Sequence, residues 1–153
     1  MPLFYRSPSI APGTRVPALP VRSSTLVLGA SIGAVAIVGV AAVWAGLAAI
    51  VASQCAWMAP VAALDAALLL RLASFPAGSR RAALALAITA ATIVVGNALV
   101  ATALIGRSMG MRPVHALTRM SPDLAWLYVQ ANSGWVELAW YALAGVLAWR
   151  VGR

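Results

Sequence analysis

Residues 26–52 contain no charged side chain. A helix needs ~20 apolar residues to cross a hydrocarbon core, so this stretch spans a bilayer with length to spare. It also exceeds the ~7–15 residues of a signal-peptide core, so it is read as a retained span despite the basic segment before it. Composition agrees. Hydrophobic residues make up 63% of the 153 and charged ones 9%, with a mean hydropathy of +0.92. Soluble domains carry ~25% charged residues, which places this chain in the membrane class.

Further apolar runs follow. One opens at Trp57, continues to about Phe75 and ends at P76-A-G-S79. The next extends from about Arg81 to Ile105, with Ser79 as a candidate N-cap. The last covers about Trp135 to Trp149 and closes on Arg150 and Arg153. Between these runs lies R107-S-M-G-M-R-P-V-H-A-L-T-R119, then S121-P-D-L, with Ser121 as N-cap and Pro122 at the first helical position. N132-S-G134 is expected to divide an interfacial helix from a short final span, one long tilted helix being the alternative.

The expected fold is an all-α integral membrane protein with four transmembrane helices in an up-down bundle. The spans are about 26–50, 57–75, 82–106 and 134–150, with an outer loop and interfacial helix over about 107–133. Residues 1–25 hold Pro2, Pro8, Pro12, Pro17 and Pro20, and read as a disordered Pro/Arg-rich cytoplasmic tail.

Arginine sets the orientation. All eleven basic residues are arginine, which together with abundant alanine reads as a GC-rich bacterial genome. With both termini cytoplasmic, Arg6, Arg15, Arg22, Arg71, Arg80, Arg81, Arg150 and Arg153 lie inside, and Arg107, Arg112 and Arg119 outside. That is the direction of the positive-inside rule. The formal charge of +8 therefore anchors helices; no nucleic-acid partner is expected, because no continuous basic face is present. Trp44, Trp57, Trp126 and Trp135 are expected near the outer interface.

The chain carries no GxGxxG, P-loop, HExxH or GxSxG pattern. Cys55 is the only cysteine and His115 the only histidine, which excludes an internal disulfide and bis-histidine ligation within one chain. No metal, no cofactor and no enzymatic activity are expected.

The informative residues are polar groups at membrane depth: Asp65, Asn97 and Glu137. Helix rise places Asp65 and Asn97 ~12–13 Å below the outer interface on antiparallel neighbours. They are expected to pair, a neutral Asp65 carboxyl donating to Asn97, with a proton or cation path as the functional alternative. Glu137 is expected in the first turn of the final span, or as part of that path if the helix is continuous. G29-A-S-I-G33 offers a small-residue packing face through Gly29 and Gly33. Arg107, Arg112 and Arg119 are candidate contacts for an acidic partner.

The functional expectation is a small non-enzymatic bacterial inner-membrane protein acting through helix–helix or loop contacts, as an accessory subunit, assembly factor or immunity-type protein. Its partners would be the bilayer and a membrane protein or a second copy. The alternative is a small oligomeric transporter or channel component that uses Asp65 and Asn97 as a polar path.

Overall fold

The computed structural model describes residues 23–153, with side-chain surroundings from residue 30 onward except at 113 and 114. Over this range the chain folds into helices joined by turns: α1 (Ser23–Val51), α2 (Met58–Leu72), α3 (Ser79–Ser108), α4 (Pro113–Arg119), α5 (Pro122–Asn132) and α6 (Trp135–Gly152). No strand occurs among the described residues. The tail expected over 1–25 is too long by three residues, because α1 already begins at Ser23; residues 1–22 lie outside the described range.

Helix ends follow from local chemistry. α1, α2 and α3 close in one motif, a left-handed residue just past the end and a backbone bond across it. Ala52 (φ 56°), Ser74 (φ 58°) and Gly110 (φ 67°) take the left-handed position. Ser53 N–H then bonds Ala48 O at 3.3 Å, Phe75 N–H bonds Leu70 O at 3.1 Å, and Met111 N–H bonds Gly106 O at 2.8 Å. α5 starts as its sequence implies, with Ser121 Oγ accepting from Leu124 N–H at 3.3 Å and Pro122 opening the helix. The N132-S-G134 break is real: α5 stops at Asn132 and α6 starts at Trp135.

Long-range contacts fix the directions. Gly33 faces Ile88, Gly96 faces Trp44, and Arg107 donates to Ala49 O. α1 and α3 therefore run the same way. Along α6, Tyr141 meets Asn97, Gly145 meets Leu86 and Gly152 meets Ala82, so α6 runs against α3. Arg71 near the end of α2 reaches Val151 O at 3.1 Å near the end of α6, so these two helices run together. α3 is central, touching every other helix, while α4 and α5 fold back over its C-terminal end.

The packing is small inside and large outside. Ala41, Ala48, Ala63, Ala85, Ala101 and Ala148 have no exposed surface, whereas Val35, Ile50, Leu72 and Val94 are 73%, 79%, 80% and 69% exposed. In water this would waste apolar burial. In lipid it is sensible, because tails are as apolar as leucine and small residues let helix backbones approach. Trp44 is the exception. It is fully buried, because Gly96 opposite it has no side chain and leaves room for the indole.

Two helices, α1 and α3, are long and apolar enough to cross a membrane, where four were expected. The reason is length and charge. α2 has 15 residues, about 22 Å at the helical rise, because it ends at Leu72 instead of near Phe75. α6 has 18 residues, about 27 Å, and contains Glu137 and Arg150.

The arginines sort by end. Arg71, Arg81 and Arg153 meet where α6 finishes: Arg81 Nε donates to Gly152 O at 2.8 Å and its Nη1 to Phe75 O at 3.3 Å, while Gly78 N–H bonds Arg153 O at 3.1 Å. Arg107, Arg112 and Arg119 flank the turn and short helix at the opposite end.

Candidate functional site

The polar residues fall into two groups that do not touch. The first is a node on Asn97. Its Oδ1 accepts from Gln54 Nε2 at 2.9 Å and from the Tyr141 hydroxyl at 3.0 Å, and its Nδ2 donates to Ile93 O at 2.9 Å. The Trp44 indole N–H donates to Gln54 O at 2.9 Å. One buried amide thus ties α1, the turn after it, α3 and α6 together. Gln54 Oε1 is buried and has no hydrogen-bond partner among the described residues.

Local backbone explains how Gln54 gets there. The turn between α1 and α2 has two non-glycine residues in the left-handed region, Ala52 and Cys55 (φ 50°), on either side of it. That region costs an L-residue ~1–2 kcal/mol, so the turn is tightened at some expense to bring the amide inward.

The second group is Asp65 alone. Asp65 sits at the middle of α2 and lines a groove with Val35, Gly39 and Val43 of α1 and Leu69 of its own helix. It has no hydrogen bond or ion pair among the described residues. The expected contact with Asn97 is therefore not made. Asp65 faces Val35, Gly39 and Val43 of α1, whereas Asn97 faces Gln54 and Tyr141. α2 turns Ala59, Ala62, Ala63, Ala66, Ala67 and Leu70 into the bundle, whereas Val61, Leu68 and Leu72 are exposed. Asp65, four residues after Val61 and three before Leu68, lies at the border of that stripe, half-buried in the groove beside α1.

Glu137 occupies the third position of α6, and its Oε2 accepts from Gly134 N–H at 2.8 Å. That is the half of a capping box that a glycine N-cap permits, at the helix end where an acid is favoured. Gly33 packs on α3, where an added Cβ would lie 3.6 Å from Ile88 Cδ1. Gly29 lies a turn earlier in α1, and its surroundings fall outside the described side chains. Arg107 is engaged with the end of α1, while Arg112 and Arg119 are exposed at the two ends of α4.

Gln54, Tyr141 and Trp44 were not singled out from sequence as polar partners. Trp44 reads as an interface anchor, and neither Gln54 nor Tyr141 carries a sequence signal for this role. The usable signal was the alanine face of α2, which marks the inward side and puts Asp65 off it.

The threonines of α3 need no partner from another helix. Thr89, Thr92 and Thr102 each donate to the carbonyl four residues earlier at 2.8 Å, the usual resort of hydroxyls in apolar helices. Compared with protein-family models, with curated proteins and with solved structures, the chain matches none.

Proposed function

We propose that the chain is a small accessory protein of a bacterial cytoplasmic membrane, acting through helix contacts with a larger assembly and without catalysis of its own. α1, α2, α3 and α6 form an up-down bundle across the bilayer, with both termini cytoplasmic. Support for embedding comes from exposure: of the most apolar windows of α1 and α3, only 22% and 33% is buried inside the chain. A core helix of a soluble protein would be mostly covered. The gathering of Arg71, Arg80, Arg81, Arg150 and Arg153 at one end fits a cytoplasmic face there. α2 is shorter than a ~30 Å core, which a bilayer accommodates by local thinning at modest energy.

The observation that carries the functional reading is Asp65. A carboxyl at membrane depth is expensive and is ordinarily paired or functional. Here it is central on α2, half-buried in the groove against α1 and unpaired among the described residues, which supports a partner external to them. A polar path through the bundle is the weaker reading, because Asp65 and Asn97 face different neighbours.

Gentle detergent extraction from native membranes, followed by quantitative identification of what co-purifies, tests this. A membrane protein recovered in fixed stoichiometry is expected. A solitary monomer contradicts the proposal.

A further inference from the structure

We propose that the α1–α2 groove docks a single transmembrane helix of a different protein, and that this helix sets a lysine or arginine against Asp65. The inference rests on the accessory-protein reading above and names the chemistry of the partner.

The groove itself is suited to a helix. Ala36 and Gly39 on the α1 side are small, and an added Cβ at Gly39 meets nothing within 4 Å, so a backbone can come close there. Val35 and Val61 stand on its two walls, 73% and 44% exposed. The remaining lining is aliphatic apart from Asp65 and the thioether of Met58.

Charge complementarity selects the occupant. A carboxyl in such a lining calls for a donor at the same depth, and a cation gives the stronger, charge-assisted bond. Each of the pair makes the other tolerable in hydrocarbon. A second copy offers no such group from its described residues, since their arginines lie at the helix ends. The nearest along the helix, Arg71, is about 9 Å further down the axis and is bound to Val151 O. The complementary charge therefore belongs to another protein.

A photo-crosslinking residue placed at Val35 or Val61, with Val94 and Val146 as positions on other exposed faces, tests this in native membranes. Crosslinked peptides are sequenced by mass spectrometry. The expected product is a membrane-spanning segment of another protein with a lysine or arginine within one turn of the crosslink, formed from the groove positions and not from the other two. Asp65→Asn is expected to lower its yield about fivefold, the size of a ~1 kcal/mol polar contact between membrane helices. Asp65→Lys is expected to abolish it, and changing the partner's cation to glutamate to restore it; thermal unfolding unchanged in both variants shows that they fold.

A product with a second copy, with residues 1–22 of the same chain or with a helix lacking a cation overturns the docking proposal, and so does a yield indifferent to Asp65. Products from Val94 or Val146 alone also overturn it but leave the accessory reading standing. No crosslinked protein from any of the four positions overturns both.

Discussion

The Tyr141 hydroxyl donates to Asn97 Oδ1 at 3.0 Å, across a sequence separation of 44 residues. The same oxygen accepts from Gln54 at 2.9 Å, so the final helix and the first turn hang on one amide of α3. The bonds are energetically coupled. Tyr141→Phe and Gln54→Ala are each expected to lower stability by ~0.5–1.5 kcal/mol. In an Asn97→Ala background both effects shrink, with a coupling of ~0.6–1.7 kcal/mol as in other membrane bundles. Unfolding of the purified protein in mixed micelles measures the cycle.

Gly96→Ala is expected to destabilise by ~1–3 kcal/mol, the usual effect of overpacking. An added Cβ lies 2.7 Å from Trp44 Cε3, and Trp44 is fully buried. Trp44→Phe, which withdraws the second ring, is expected to recover part of that loss despite giving up the bond to Gln54. The same unfolding assay reads both, and additive losses would exclude this contact as the cause.

Ala52→Gly and Ser74→Gly are each expected to stabilise by up to ~1 kcal/mol, because glycine takes the left-handed position without a Cβ penalty. Gly110→Ala at the equivalent place after α3 is expected to destabilise by a similar amount. A shift of opposite sign at either exposed position would mean that the side chain there makes a contact beyond the turn.

Much of the architecture was legible because its causes are local. The apolar runs, the Ser121–Pro122 start and the Asn132–Gly134 break each rest on a few adjacent residues. Helix rise also gives Asp65 and Asn97 an expected depth. What it does not supply is rotation about the axis, and there the pairing fails: the bundle is assembled on its alanines, and Asp65 borders the stripe of Val61 and Leu68. Gln54 was illegible for another reason. Its inward aim depends on left-handed turns at Ala52 and Cys55, and neither residue type announces one.

Arg81 is buried and donates to both Gly152 O and Phe75 O, closing the C-terminal end of α6 against the turn between α2 and α3. Arg81→Ala is expected to cost ~1.5–3 kcal/mol, as for bonds to charged donors, while Arg80→Ala, exposed beside it, stays within ~0.5 kcal/mol. Lysine at 81 is expected to rescue poorly, since it lacks the fork that spans two carbonyls. Equal losses at 80 and 81 would assign the effect to charge alone.

Orientation is open to direct labelling. With Cys55 replaced by alanine, single cysteines at Ala77 and Arg153 are expected to react with an impermeant reagent only after the membrane is opened from the cytoplasmic side. One at Met109, 65% exposed, is expected to react from outside. Labelling of 77 and 109 from the same side would contradict the four-span topology.

Asp65 and Asn97 separate the two roles the polar groups play, one lining the groove beside α1 and one holding the bundle. The most direct measurement is the unfolding free energy of the purified, partner-free chain carrying Asp65→Leu or Asn97→Leu. Asn97→Leu strands the donors of Gln54 and Tyr141 and is expected to lose ~1–3 kcal/mol. Asp65→Leu, which breaks no bond within the described chain, is expected to be as stable as the native protein or more so. A loss at Asp65 as large as that at Asn97 would show that the carboxyl serves the fold itself and would contradict its assignment to an external partner.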